Sequence, residues 1–186
     1  MCGFVGFTGL RAEREAILHK MADRIIHRGP DMEGYHLSGD TPQTAVALGF
    51  RRLSIIDLAA GKQPMYNEDG TVVVVFNGEI YNFMQLRTEL QAKGHIFTTH
   101  CDTEVILHGY EEYGTALAAK LRGMFAFVVW DTKTNKMYGA RDIFGIKPFY
   151  YTKTEAGELL FGSEIKSLLE HPGFRREVNP EALRPY

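Results

Sequence analysis

Val72-Val73-Val74-Val75-Phe76-Asn77-Gly78-Glu79 runs five apolar residues straight into an amide and a glycine. The apolar part reads as a strand over 71–76, started by the turn-forming Asn67-Glu68-Asp69-Gly70 just ahead of it. Asn77-Gly78 at its end carries the chemistry of a tight turn. The same place can hold a carboxamide side chain beside a glycine N–H as two donors, the pair that a tetrahedral oxyanion at an attacked carboxamide requires.

Upstream, a strand is predicted over 3–8 and a helix over 12–26. In that helix Ile17, Met21 and Ile25 recur every four positions beside Leu18, Ala22 and Ile26, and Gly29-Pro30 stops it. Further strands are predicted over 34–38, 44–50 and 53–56. Downstream, Phe83, Leu86 and Leu90 share one side of a helix over 83–93 that Gly94 ends. A strand over 95–100, a helix starting near Asp102 and a short helix over 117–121 follow. Segments 124–131 and 136–141 flank Thr132-Lys133-Thr134-Asn135 as a hairpin. Strands over 146–152 and 158–163 and a closing helix over 164–170 complete the series. Two groups of antiparallel-looking strands with the helices segregated between them predict α+β layers rather than a doubly wound parallel sheet. The segment 178–186 reads as the opening of a new element, its proline starting a helix that is then cut off, so the chain is expected to continue.

The 186 residues fit one domain, and 45% hydrophobic with 24% charged is an ordinary globular composition. Lys plus Arg number 21 against 23 Asp plus Glu, a formal charge of −2, which makes no electrostatic case for nucleic acid or an anionic membrane as partner. The longest apolar run is far too short to span a bilayer, and no secretory leader is visible. Only two cysteines, Cys2 and Cys101, occur; this argues against a disulfide framework and for a reducing compartment, the cytoplasm. Neither cysteine has structural zinc spacing, no Gly-x-x-x-x-Gly-Lys loop offers a phosphate cradle, and no Gly-x-Ser-x-Gly elbow is present.

Cys2 carries the sharpest chemistry. Once Met1 is removed, its thiol and a free α-amine would share one residue. Their reference pKa values, about 8.5 and about 7.7–8.0, put nucleophile and proton acceptor close in strength. Gly3 lets the backbone approach a substrate. Arg52 could grip an α-carboxylate through paired hydrogen bonds, against the plain reading of Arg51-Arg52 as a surface basic pair. Asp102 could answer an α-ammonium, against a plain role as helix N-cap. His27-Arg28-Gly29-Pro30-Asp31 reads as a helix stop, and Arg141-Asp142-Ile143-Phe144-Gly145-Ile146-Lys147-Pro148 as salt bridging around a bend; neither receives a catalytic role.

These stretches, with Met1-Cys2-Gly3-Phe4-Val5-Gly6, Arg52-Leu53-Ser54-Ile55-Ile56-Asp57, Asn77-Gly78-Glu79-Ile80-Tyr81-Asn82, Asp102-Thr103-Glu104-Val105-Ile106, Gly123-Met124-Phe125-Ala126-Phe127 and Ser163-Glu164-Ile165-Lys166, resemble in order the class II glutamine amidotransferase domain of bacterial asparagine synthetases. The resemblance implies the four-layer αββα sandwich of N-terminal nucleophile hydrolases. It implies Cys2 as nucleophile, Asn77 and Gly78 as the oxyanion hole and Arg52 on the substrate carboxylate. Asp102 and Glu79 would meet the ammonium, and the backbone of Leu53, Ser54, Ile55 and Ile56 would line the glutamine pocket. It also implies glutamine as substrate and a γ-glutamyl thioester hydrolysed to glutamate, with ammonia passed to a synthetase domain.

Two departures stand out. Cys101 occupies a position where family members often carry serine, and is expected to be an unreactive, partly buried thiol. No Ser-Gly-Gly-x-Asp-Ser pyrophosphate loop occurs, so this domain is expected to need no cofactor or metal of its own, with ATP and Mg belonging to the synthetase domain. A homo-oligomer is left open. The alternatives are the glutaminase half of a related amidotransferase with another acceptor, or a silent regulatory or binding module if Met1 is retained.

Overall fold

The apolar run of valines is the first part of a longer strand, β5 (Val72–Ile80), in a computed structural model that describes residues 1–53, 61–177 and 180. β5 pairs along its whole length with β6 (Gly123–Asp131), including Asn77 opposite Ala126 and Gly78 opposite Phe125. The predicted turn at Asn77-Gly78 is therefore corrected: the strand passes straight through it. Glycine serves a close approach here, since a Cβ on residue 78 would sit 2.3 Å from the Met124 carbonyl oxygen.

β5 is apolar on both faces because both are covered. Val73 and Val75 point into a cluster with Phe4, Leu48, Phe50 and Trp130, whereas Val72, Val74 and Phe76 pack with Leu86, Leu90, Val105 and Ile106. The first group lies between two sheets, the second between a sheet and helices.

The first sheet has five strands in the order β2-β3-β1-β9-β8, with β1 Gly3–Thr8, β2 Met32–Ser38, β3 Val46–Arg52, β8 Tyr150–Lys153 and β9 Leu159–Gly162. The second has the order β4-β5-β6-β7, with β4 Met65–Tyr66 and β7 Lys136–Arg141. The strand pairs are antiparallel. Helix α1 (Arg14–Asp23) lays Ile17, Leu18, Met21 and Ala22 on Val5 and Phe7 of β1, with Leu168 of the short α5 (Ile165–Leu168) beside them. Helices α2 (Phe83–Ala92), α3 (Thr103–Tyr113) and α4 (Leu117–Lys120) cover the outer face of the second sheet. Two sheets face to face with helices outside each make the αββα sandwich. No described helix is long and apolar enough to cross a membrane.

Local hydrogen bonding accounts for the other differences from the sequence reading. Residues 95–100 form no strand, because the Thr98 and Thr99 N–H groups donate to the Glu104 carboxylate at 2.7 and 2.8 Å. β8 starts at Tyr150 rather than 146, since the Ile146 and Lys147 N–H groups are taken by Asp142 at 2.9 and 3.0 Å. The long first helix ends at Asp23 and a 3-10 turn over Ile26–Arg28 follows. The two-residue β4 is too short for any periodicity to reveal. Leu53 lies just past β3, while the rest of the strand predicted over 53–56 falls outside the described residues, as does most of 178–186.

Candidate active site

Cys2 stands immediately before β1, whose Gly3 is opposite Arg51 of β3. Phe4 points between the sheets, so Cys2, two residues earlier, shares that face, and it packs against the same cluster. Its Sγ lies 3.8 Å from the Leu53 carbonyl oxygen. Arg28 holds its backbone: Nε donates to the Cys2 carbonyl at 2.9 Å and Nη1 to Glu164 at 3.1 Å. Two stretches read as a helix stop and as the edge of a closing helix thus meet at the chain start. Gly3 leaves room for this arginine, as a Cβ there would be 3.0 Å from Arg28 Cδ. The buried Lys147 brings its ammonium within 3.8 Å of Met1 Sδ. Nothing in a one-dimensional pattern announces either contact.

Asn77 is also aimed between the sheets, by the alternation that sends Val73 and Val75 there. It is buried, and its Nδ2 has no hydrogen-bond partner among the described residues. A buried amide donor left unpaired costs stability, so it calls for an explanation.

The backbone of Gly78 has a definite direction. Phe76 N–H donates to Gln63 Oε1 at 2.6 Å and Ile80 N–H donates to Asp102 Oδ2 at 2.9 Å, both on the β5 edge away from β6. Tyr81 N–H, one residue on, points the other way and reaches the Arg122 carbonyl at 2.7 Å. Strand alternation puts the Gly78 N–H on the same open edge as those of Phe76 and Ile80, between them.

Arg51 and Arg52 separate at the end of β3. Arg51 is buried and paired with Asp23 and Glu33, which corrects the reading of a surface basic pair. Arg52 takes the opposite face, shared with Leu48 and Phe50, and its Nη1 lies 3.8 Å from Met32 Sδ. A cavity of about 280 Å³ opens beside it, walled by Met32, Phe50, Gln63 and Tyr66. Cys2, Asn77 and Asp102 are not among the described residues lining that cavity. Gly61, after the segment 54–60, links Arg52 to Cys101: a Cβ on it would be 3.6 Å from Arg52 Nη2 and 3.9 Å from Cys101 Cβ.

Asp102 stands at the N-cap position of α3 without a capping hydrogen bond, and its carboxylate spans to Ile80 instead. Burial pushes its pKa up, with the nearby Glu79 carboxylate adding to the rise and the Ile80 N–H opposing it. The loop in front is shaped by Glu104, which accepts both the backbone and the hydroxyls of Thr98 and Thr99. Cys101 is partly buried, with Sγ 3.1 Å from Thr99 Oγ1.

Arg141 and Asp142, read as salt bridging around a bend, bond mainly to backbone. Arg141 Nε donates to the Lys147 carbonyl at 2.6 Å, while Asp142 accepts from Phe125, Ile146 and Lys147.

Of the residues singled out from the sequence, Cys2 and Leu53 touch, and Asp102 is joined to the strand that carries Asn77, Gly78 and Glu79. Arg52 and Cys101, the residue before Asp102, both lie close to Gly61. Ser54, Ile55 and Ile56 lie outside the described residues. Sequence reasoning missed Arg28, Gln63 and Glu104, each of which acts through a partner distant in the chain or on backbone atoms.

Comparison with known proteins places this geometry. The family model described as a glutamine amidotransferase domain matches residues 1–186. Asparagine synthetase (glutamine-hydrolysing) 1 of Bacillus subtilis is 48% identical over 191 residues, covering all of this chain and 29% of that protein. The asparagine synthetase of Zea mays is 44% identical over 172 residues, covering 90% of this chain and 28% of that protein. The chain thus spans well under a third of the length of these relatives. Among solved structures, glutamine phosphoribosylpyrophosphate amidotransferase of Bacillus subtilis, complexed with ADP and GMP, superimposes with a TM-score of 0.71 at 22% identity, over 96% of this chain and 46% of that one. At that identity the likeness speaks to the fold alone, the αββα sandwich already described. With its whole length matched, the chain belongs to the glutamine amidotransferase domain family.

Proposed function

We propose that this domain hydrolyses L-glutamine to L-glutamate and ammonia with Cys2 as nucleophile, as the ammonia-supplying part of an asparagine synthetase. The observation that carries the reading is the buried Asn77 Nδ2, without a partner among the described residues and facing the sheet from which Cys2 projects, beside a Gly78 N–H on the open edge of β5.

With Met1 removed, the Cys2 α-amine takes the thiol proton as sulfur attacks the glutamine Cδ. The carbonyl oxygen becomes an oxyanion, held by Asn77 Nδ2 and the Gly78 N–H. Collapse breaks the C–N bond, and the amine returns its proton to the leaving nitrogen, which departs as ammonia. Water then attacks the γ-glutamyl thioester, again giving up a proton to the amine, and glutamate leaves as the thiol re-forms. Arg52 would hold the substrate carboxylate by paired hydrogen bonds, and Asp102 with Glu79 the ammonium. Leu53 to Ile56 would supply the pocket backbone.

No cofactor is called on in this domain. ATP and Mg would act in the synthetase portion, which is also the expected partner, and the two unpaired thiols support a reducing, cytoplasmic setting. The acceptor of the ammonia is a property of that other portion, so the glutaminase half of a related amidotransferase would share every residue named here.

The test is release of glutamate and ammonia in equal amounts by a preparation whose intact mass lacks Met1, beside Cys2→Ala. A glutamine-like electrophile should label Cys2 alone. Label on Cys101, or no turnover by the processed protein, would overturn the reading; complete retention of Met1 in native protein would favour a silent regulatory module.

A further inference from the structure

His95, ahead of α3, and His108, on it, have no motif spacing, yet the fold brings them together with Glu111. One ligand atom from each lies within 4.8 Å of the other two. His108 Nδ1 is 3.0 Å and His95 Nδ1 3.7 Å from the same oxygen, Glu111 Oε2. Neighbouring ligands of a tetrahedral zinc ion, at about 2.0–2.1 Å from the metal, stand roughly 3.3 Å apart. The two separations from Glu111 bracket that value, and the two histidine nitrogens stand within 4.8 Å of each other. Glu68 Oε1 lies 3.9 Å from His108 Nδ1 and is half exposed, free to close by a small rotation as a fourth ligand.

From this we propose that His95, His108, Glu111 and Glu68 form a structural site for a divalent transition-metal ion of the zinc type. Imidazole with carboxylate is a donor set that suits zinc. His95 and Glu111 each have an outer polar neighbour of the kind that orients metal ligands, and a further carboxylate stands near His108. The Glu104 carboxylate is 3.9 Å from His108 Nε2 and the Glu112 carboxylate 3.5 Å from His95 Nε2, while Asn67 Nδ2 donates to Glu111 Oε1 at 2.7 Å. Phe97 lies edge-on to His108, centroids 4.5 Å apart, and walls one side with apolar surface.

The ligands come from three places. His95 lies between α2 and α3, His108 and Glu111 are one turn apart on α3, and Glu68 sits in the turn before β5. An ion there staples the outer helical layer to the sheet that carries Asn77 and Gly78. Binding displaces the proton shared by His108 and Glu111. The site takes no part in glutamine hydrolysis, so it stands or falls apart from that reading.

Tag-free protein carrying Cys2→Ala and Cys101→Ala, which removes competing thiolates, is stripped with chelator and titrated with Zn²⁺ and Co²⁺. The expected result is one Zn²⁺ per chain, a higher Tm with bound metal, and intense visible Co²⁺ bands of a four-coordinate ion. His95→Gln, at a partly exposed position, should fold normally and bind at least ~10-fold more weakly, with Glu111→Gln behaving alike. A folded protein that takes up no Zn²⁺, or one whose Zn²⁺ affinity His95→Gln leaves unchanged, would overturn the site and leave only a hydrogen-bonded cluster.

Discussion

Asp102, one residue ahead of α3, accepts the Ile80 N–H at 2.9 Å and so ties the outer helical layer to the last residue of β5, two positions beyond Gly78. The bond orients a carboxylate that is buried and close to Glu79 at the same time. A group placed this way is suited to receive a substrate cation, because the incoming charge relieves both burdens.

A pH dependence follows from that placement. The Asp102 pKa is raised by burial first and by Glu79 after it, so the ionised form is disfavoured in the folded protein. A carboxyl raised on folding favours the folded state while protonated, and that contribution is lost as pH rises through the folded value. Asp102→Asn should therefore raise Tm at neutral pH, with the gain vanishing in acid, while KM for glutamine rises sharply. Glu79→Gln should move the acid limb of kcat/KM to lower pH. A Tm for Asp102→Asn below that of the parent at neutral pH would contradict this.

Asn77→Ala should lower kcat by about 100- to 1,000-fold with little change in KM, the loss expected for one oxyanion donor. Because Nδ2 has no partner among the described residues, thermal stability should change little. Steady-state kinetics beside a melting curve separates this from a structural role, which would move Tm and leave kcat.

Gly78→Ala introduces a Cβ 2.3 Å from the Met124 carbonyl and 2.7 Å from Phe125 Cα. These are backbone atoms of the paired strand, so β5 and β6 must shift apart. A loss of about 1–3 kcal/mol in denaturant unfolding is expected, the usual range for overpacking, together with loss of turnover.

Cys2→Ala should abolish glutamine hydrolysis, whereas Cys101→Ala should keep most of it. Cys101 Sγ sits 3.1 Å from Thr99 Oγ1 and, inside the chain, has no α-amine of its own to take its proton. Ammonia release by the two variants, measured side by side, decides the matter.

Gln63 mimics a strand neighbour, taking the Phe76 N–H at 2.6 Å and donating to the Phe76 carbonyl at 3.1 Å. Gln63→Ala removes both bonds one residue before Asn77, at a net cost of roughly 1–2 kcal/mol. KM for glutamine should rise as the edge loosens; Gln63→Glu, which keeps the acceptor but not the donor, should fall between alanine and the parent.

Much of this architecture can be read in one dimension. The strands at Gly3–Thr8 and Lys136–Arg141 have the predicted bounds, β2 begins at Met32, two residues before the predicted 34, and α2 follows Phe83, Leu86 and Leu90 to its Gly94 stop. Cys2, with Gly3 behind it, stands out as a candidate nucleophile only once the ordered blocks around Asn77, Arg52 and Asp102 are read together with it. The strands and α2 are short-range matters: helical period, strand period and the dihedral freedom of glycine act within a few residues.

The rest waits on partners far along the chain. Asn77-Gly78 has the composition of a turn and becomes mid-strand because β6, more than forty residues later, supplies a ladder for every residue from Val72 to Ile80. Segment 95–100 has a strand's composition and is pulled out of any sheet by Glu104. Arg51 and Arg52 look alike in sequence, and the pleat of β3 sends one to Asp23 and the other toward the inter-sheet space. A backbone N–H or a charged side chain must be satisfied wherever it is buried, and its partner is chosen by the folded neighbourhood, which no local pattern encodes.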